Sequence, residues 1–183
     1  MGNQSSQPLS KDLECSKFIH FLPIEIREWS FAFKTIYPDG RMSLKDFIDF
    51  FSSLFPFGKV EPFCTRMFQN INISQAKEVE LSELLIAFTI LLKGSTFERL
   101  RWLFRFYDDD KDGFVSRDEL EKGFDIINLM VSNSMMSEIP SKFLVDEIFS
   151  SLQNQSGFLT FNDFEILAQE NSDNFKKISF FYD

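Results

Sequence analysis

Residues 107–120 read Tyr-Asp-Asp-Asp-Lys-Asp-Gly-Phe-Val-Ser-Arg-Asp-Glu-Leu. Aspartates at alternate positions, a glycine and a later glutamate fill the pattern D-x-D-x-D-G-x5-E without exception. Alternate positions of a tight loop turn their carboxylates toward one centre, and a group of oxygen ligands is what a calcium ion requires. Four carboxylates held this close would repel one another strongly without a cation. The sequence therefore predicts a calcium-binding loop.

Each position of this loop has an expected role. Gly113 takes a sharp turn that a Cβ atom would obstruct, and Glu119 closes the shell with both carboxylate oxygens. The expected calcium ligands are the side chains of Asp108, Asp110 and Asp112, the carbonyl of Phe114, Ser116 through a water, and Glu119. Apolar residues at helical spacing lie on both sides, so we expect a helix–loop–helix unit, the EF-hand. An Asp-rich surface turn is the alternative, but a turn needs neither this spacing nor the two helices.

Three further stretches keep parts of the same pattern and are expected to be EF-hands that have lost their metal. They span residues 35–46, 72–83 and 152–163. In the first, Tyr37 takes a ligand position and Pro38 interrupts the loop. In the second, Ala76 replaces a ligand and Lys77 stands where glycine is needed, and in the fourth Leu152 falls on the first position. We therefore expect one calcium site in four hands.

Because EF-hands work in pairs, we predict an all-α fold of two lobes, each holding two helix–loop–helix units with short β-pairing between their loops. The stretch Lys93-Gly-Ser-Thr96 is the expected linker between the lobes. The chain is thus divided into an amino-terminal arm at 1–18, a lobe with hands one and two at 19–93, a lobe with hands three and four at 94–170, and a tail at 171–183.

Composition excludes several function classes. The formal net charge is −9, so no basic surface is expected for nucleic acid. His20 is the only histidine, and Cys15 and Cys64 are the only cysteines, which leaves no zinc site, catalytic triad or disulfide framework. We find no secretory signal and no apolar run long enough to span a bilayer. We therefore expect a cytoplasmic chain that is not an enzyme.

The amino terminus and several internal motifs together resemble one family. The chain begins Met1-Gly-Asn-Gln-Ser-Ser6, which fits N-myristoylation at Gly2. The first hand is interrupted by Pro38-Asp-Gly40, the turn Phe55-Pro-Phe-Gly58 follows, and Leu100-Arg-Trp-Leu-Phe-Arg-Phe-Tyr107 leads into the intact loop. With the region of Trp29, these motifs resemble the neuronal calcium sensor family, which includes recoverin, frequenin and the visinin-like proteins.

The resemblance implies a calcium sensor that regulates a membrane-associated target protein. It implies a myristoyl group that attaches the chain peripherally to membranes, and an apolar groove that takes a helix of the target. The expected groove residues are Trp29, Phe33, Phe47, Phe51, Phe55, Phe68, Leu84 and Phe88. The tail at 174–182 resembles the segment that can cover such a groove. Most of these side chains could instead be ordinary core.

One departure from the family leaves a second function open. Family members commonly bind calcium at two or three hands, whereas here one loop is intact. A site filled at 100 times its dissociation constant contributes about 2.7 kcal/mol, but reversing a strongly biased equilibrium takes about 5.5 kcal/mol. One hand could adjust a poised switch without driving a steep one. The alternative is a constitutive auxiliary or scaffold subunit, for example of a channel, whose site is structural and holds Ca²⁺, or Mg²⁺ at rest.

Overall fold

The computed structural model of the chain describes residues 21–131 and 140–169. The predicted arm at 1–18 with Gly2, and the predicted tail at 171–183, lie outside these residues. Within them the helices and strands are, in order, α1 Pro23–Ile36, β1 Arg41–Ser43, α2 Leu44–Leu54, α3 Glu61–Ile71, β2 Glu78–Glu80, α4 Leu81–Lys93, α5 Thr96–Tyr107, β3 Val115–Ser116, α6 Arg117–Val131, α7 Ser141–Ser151, β4 Phe158–Leu159 and α8 Phe161–Gln169. The predicted all-α fold of helix–loop–helix units is confirmed.

Short antiparallel strands join the loops in pairs, as the sequence predicts. Strand β1 pairs with β2, where Met42 lies opposite Val79. Strand β3 pairs with β4, where Val115 lies opposite Leu159. All four of these apolar side chains are buried. The pairing therefore joins the first hand to the second and the third to the fourth. Each loop places one apolar side chain in the core.

Local capping explains where the helices begin. Ser43 caps α2, because its hydroxyl accepts a hydrogen bond from the Asp46 amide while the Asp46 carboxylate accepts one from the Ser43 amide. Ser95 and Glu98 form the same reciprocal box at the start of α5. Helix α4 ends at Lys93 and α5 begins at Thr96, so the helical chain breaks at the predicted linker. The break separates the second hand from the third.

The two pairs of hands share one aromatic core. The Phe63 ring of α3 lies 5.8 Å from the Phe106 ring of α5, centroid to centroid. Tyr107 is fully buried, and α6 approaches it closely because Gly123 has no side chain there. A Cβ atom at Gly123 would lie 2.4 Å from the tyrosine ring. Helices α3, α5 and α6 therefore meet directly behind the predicted calcium loop.

A second contact joins the pairs at the turn after α2. The Lys59 amide donates a 2.8 Å hydrogen bond to the Leu129 carbonyl, near the end of α6. At Gly58 a Cβ atom would lie 1.8 Å from the Met130 carbonyl oxygen, so only glycine allows the two backbones to approach this closely. The helix that leaves the calcium loop is thus held at its far end by the first pair of hands.

We find no helix in residues 21–131 or 140–169 that is both long enough and apolar enough to cross a membrane.

Candidate metal centre

The predicted loop brings three carboxylates together. Asp108 caps the end of α5, and the loop then turns through Lys111 and Gly113, whose φ angles are +62° and +88°. One carboxylate oxygen from each of Asp108, Asp110 and Asp112 lies within 4.8 Å of the others. This spacing places hard oxygen ligands around a single centre. No other three His, Cys, Asp or Glu side chains in the described parts of the chain converge in this way.

Glu119 reaches back from the first turn of α6 and closes the loop. Its Oε1 accepts hydrogen bonds from the Asp109 amide at 2.9 Å and the Asp110 amide at 3.4 Å. Its Oε2 accepts bonds from the Ser116 amide at 2.8 Å and the Ser116 hydroxyl at 2.7 Å. Burial acts to raise the pKa of Glu119, but these hydrogen bonds outweigh it and hold the pKa below its ordinary value.

The environment of Asp108 is the clearest sign that the loop fits a cation. The residue is only 7% exposed, and its Oδ1 is buried with no hydrogen-bond partner among the described residues. Its Oδ2 accepts a hydrogen bond from the Gly113 amide, at 3.2 Å. A buried carboxylate oxygen without a partner is costly unless a cation neutralises it. The donor set and this orphaned oxygen both suit a calcium ion, which would supply the missing positive charge.

The pKa of Asp108 is raised, mainly by burial and further by the charges of Glu119 and Asp112, against the opposing hydrogen bond from Gly113. Stability that depends on protonated Asp108 is therefore present at low pH and is lost as the pH rises through this raised pKa. We expect Asp108→Asn to stabilise the calcium-free protein at neutral pH and to remove its stabilisation by calcium. The difference in the free energy of unfolding between the variant and the wild-type chain should decrease as the pH falls through the same range.

Thermal unfolding in chelator and in calcium, from pH 4 to pH 8, measures both effects of Asp108→Asn. The wild-type chain under the same conditions is the reference. If the substituted chain is no more stable than the wild-type chain in chelator at neutral pH, this account of the buried carboxylate is wrong.

The second and fourth loops satisfy their own polar groups. In the second, the Asn72 side chain accepts hydrogen bonds from the Ser74 hydroxyl and the Ala76 amide, at 3.2 and 3.0 Å. In the fourth, the Ser156 hydroxyl donates to the Asn154 side chain, at 2.7 Å. Neutral groups that bond to one another within the loop replace the charged ligands of the third hand. Neither loop presents the clustered carboxylates that would require a cation.

The first loop has lost its metal geometry in another way. Thr35, at its first position, lies inside α1 and donates its hydroxyl to the Phe31 carbonyl at 2.8 Å. Tyr37 packs its ring against Phe33, with 4.9 Å between centroids. The Asp46 carboxylate accepts the hydrogen bond from the amide of Ser43, the residue that caps α2. The residues at ligand positions thus act as helix and core residues.

A large apolar groove opens on the first pair of hands, between α1, α2 and α4. Its volume is about 710 Å³. The structure brings six of the eight predicted groove residues to its walls, namely Trp29, Phe33, Phe47, Phe51, Leu84 and Phe88. Phe55 instead lines a smaller cleft beside the turn at Gly58. Phe68 is buried in the core, with its ring 5.9 Å from that of Phe47.

Other residues that line this groove were not predicted from the sequence. They are Glu28, Ala32, Ile36, Tyr37, Met42, Phe50, Leu54 and Leu81. The helical period of α1 and α2 carried a signal for part of this set, since Ile36 follows Trp29 and Phe33 on one face, and Leu54 follows Phe47 and Phe51. Met42 and Leu81 carried no such signal, because their place depends on how the strands and helices pack.

Comparison with known proteins gives consistent relatives, although no protein-family model matches the chain. Neuronal calcium sensor 1 of Lymnaea stagnalis is 32% identical over 170 residues, which cover 90% of this chain and 88% of that protein. Visinin of Gallus gallus is 25% identical over 142 residues, covering 76% of this chain and 74% of that protein. S-modulin of Aquarana catesbeiana is 26% identical over 142 residues, covering 76% and 70%.

Proposed function

The chain belongs to the neuronal calcium sensor family, and from this premise we propose that it senses calcium through one metal centre and regulates a membrane-associated target through its apolar groove. Its relatives are non-enzymatic calcium-binding regulators, which confirms the expectation that the chain is not an enzyme. The observation that carries the proposal is the buried Asp108 Oδ1, which has no partner among the described residues although two more carboxylates lie beside it.

In this proposal the loop from Asp108 to Glu119 is the sensing element. Asp108, Asp110 and Asp112 bind Ca²⁺ with their side chains, Phe114 with its carbonyl and Ser116 through a water. Glu119 supplies the last two oxygens from α6, and it is already turned toward the loop by hydrogen bonds to the Asp109 and Asp110 amides. A bound ion would offset the repulsion among the carboxylates. The other three hands serve as scaffold.

The groove is proposed as the site for an apolar face of a target helix. Its walls are almost entirely aliphatic and aromatic, and Phe50 and Leu54 are about half exposed. Among the described residues, no side chain of α1 is fully buried, and Trp29 and Ile36 are 37% and 69% exposed, so part of its apolar face is available to a partner. An amphipathic helix places anchors three and four residues apart into such a groove. The tail at 174–182, outside the described residues, is a second proposed occupant.

A myristoyl group on Gly2 is proposed to hold the chain at the membrane. One such chain binds bilayers only weakly, with an association constant of about 10⁴ M⁻¹. A membrane-bound target in the groove would act as the second anchor. The proposed location is therefore cytoplasmic and peripheral to the membrane. The proposal names no nucleic-acid partner, in keeping with a net charge of −9.

A constitutive auxiliary or scaffold subunit is the second candidate function. It is favoured by the second and fourth loops, whose side chains bond to one another and need no ion. A protein with this role would keep the third hand filled at rest, by Ca²⁺ or by Mg²⁺. The groove would then be occupied whether or not the calcium concentration rises.

Calcium titration in millimolar Mg²⁺ distinguishes the two functions. We expect a dissociation constant of about 10⁻⁷–10⁻⁵ M, the range of sensors, and an increase in the fluorescence of an apolar dye. Binding of the acylated chain to phosphatidylcholine vesicles should be lost on Gly2→Ala, with and without calcium. A dissociation constant of about 10⁻⁸ M or tighter, with no change in dye fluorescence, would reject the sensor and favour the structural site.

A further inference from the structure

Arg66 carries a charge on a helix whose residues are mostly buried. It lies on α3, in the first pair of hands, and only 8% of its surface is exposed. Its neighbours on the same helix, Phe63, Met67 and Phe68, are apolar and buried. Because a guanidinium loses hydration when it is buried, such a residue requires a partner of opposite charge.

The partner of Arg66 lies in the calcium loop of the other pair of hands. Its Nη2 is 3.1 Å from the Asp109 Oδ2. The guanidinium also lies over the Phe106 ring, with its carbon 5.7 Å from the centroid. Its Nη1 is buried and has no hydrogen-bond partner within the described residues. A Cβ atom at Gly123 of α6 would lie 3.6 Å from this nitrogen, so Arg66 sits where α3, α5 and α6 meet.

Asp109 connects the loop to its surroundings, although it is not an expected ligand. It stands between the expected ligands Asp108 and Asp110. Its amide donates the 2.9 Å hydrogen bond to Glu119 Oε1. The side chain of Asp109 is therefore fixed by the first pair of hands, while its backbone contacts the glutamate that closes the loop.

The helix that carries Arg66 also supports the groove. On α3, the Phe63 ring lies 5.8 Å from the Phe51 ring, and the Phe68 ring lies 5.9 Å from the Phe47 ring. Both Phe47 and Phe51 belong to the walls of the groove. Packed side chains thus connect the loop to the groove, through Arg66, Phe106 and Phe63.

We infer that Arg66 is a positioning residue, whose ion pair with Asp109 fixes the first turn of the calcium loop and couples that loop to the groove. The inference rests on the proposed calcium site at Asp108–Glu119. The Asp109 side chain is 47% exposed, and an ion pair with one exposed partner contributes little net stability. One unpaired guanidinium nitrogen makes a purely stabilising role for this pair less favourable still. A role in holding two elements in register accounts for its presence.

Hydrogen exchange of the full-length chain, with and without calcium, tests the coupling. We expect calcium to slow exchange in residues 44–54 and 61–71 of the wild-type chain, and Arg66→Met to remove at least three quarters of that change. Thermal unfolding confirms that the variant is folded. Arg41→Met is the matched control, because Arg41 pairs with Glu80 at 3.6 Å inside the first pair of hands, outside the calcium loop. It should leave the exchange response of the wild-type chain intact.

Calcium titration of Asp109→Asn supplies a second, independent readout. We expect at least a tenfold loss of affinity, because the variant leaves a buried guanidinium uncompensated beside the cation site. The double variant Arg66→Met, Asp109→Asn removes the uncompensated charge but not the loss of positioning, so its affinity should recover only in part and stay at least about threefold below the wild-type value. Its exchange response should stay lost, because no ion pair is restored.

The outcomes separate the inference from the function on which it rests. A wild-type chain that binds no calcium overturns the metal centre itself. If the wild-type chain binds calcium and Arg66→Met leaves the exchange response of residues 61–71 unchanged, the positioning role is rejected. Should Arg66→Met fail to fold, Asp109→Asn decides alone, and wild-type affinity together with a wild-type exchange response in that variant rejects the inference equally.

Discussion

Glu119→Gln is expected to lower the calcium affinity of the chain at least about 100-fold, which corresponds to about 2.8 kcal/mol at 1.4 kcal/mol per tenfold change. The substitution removes one negative charge and one of the two oxygens that would bind the ion from α6. The amide keeps the length of the side chain, so the helix and its packing should be preserved. Isothermal titration calorimetry of the calcium-free protein measures the change directly.

The control for this experiment is Asp118→Asn. It removes the same charge from the adjacent residue, whose exposed side chain is not among the converging carboxylates. We expect its affinity to stay within about threefold of the wild-type value, since an exposed charge acts only through a screened field. Equal losses in the two variants would mean that net charge, and not the ligand shell, governs binding.

Gly58→Ala is expected to destabilise the chain by about 2–4 kcal/mol, from overpacking and one lost hydrogen bond. The new Cβ would lie 1.8 Å from the Met130 carbonyl oxygen and 2.7 Å from its carbon. These are backbone atoms of a helix, so they cannot move aside as a flexible side chain can. The turn must withdraw from α6, and the bond from the Lys59 amide to the Leu129 carbonyl is lost with it.

Urea denaturation in chelator measures the loss, and Gly40→Ala is its control. Gly40 has a φ of +70°, but a Cβ there would meet no atom within 4 Å. That variant should lose only about 1 kcal/mol, because its cost is confined to the left-handed backbone. If Gly58→Ala were as stable as Gly40→Ala, the close contact between the turn and α6 would not be a structural requirement.

The all-α fold and its paired hands could be predicted because the signals are local. The D-x-D-x-D-G-x5-E spacing fixes the loop, and helical periodicity fixes the flanking helices. The pairing of Val115 with Leu159 followed from the equivalent position of each residue in its own loop. The loop and its flanking helices depend on residues within about a dozen positions of one another, so the sequence alone contains them.

The groove could be predicted only in part. The structure places six of the predicted residues on its walls, because they repeat on one face of a helix. Phe68 follows the same periodicity but faces the core, since the sequence does not state which side of α3 meets α2. Phe55 lies past the end of α2, where the chain turns away toward Gly58. The positions of Phe55 and Phe68 therefore depend on the angles at which the helices pack.

The sequence by itself determined the intact loop, from Asp108 to Glu119, and the loss of the equivalent ligands in the other hands. The spacing within one short segment is enough to direct those carboxylates toward one centre. Only the tertiary structure decided that Arg66 pairs with Asp109. It also decided that residue 58 must be glycine, because its backbone lies directly against the Met130 carbonyl. The partners in each case are far apart along the chain and belong to different pairs of hands. Their contact comes from the packing of α3 and α6, which no local spacing encodes.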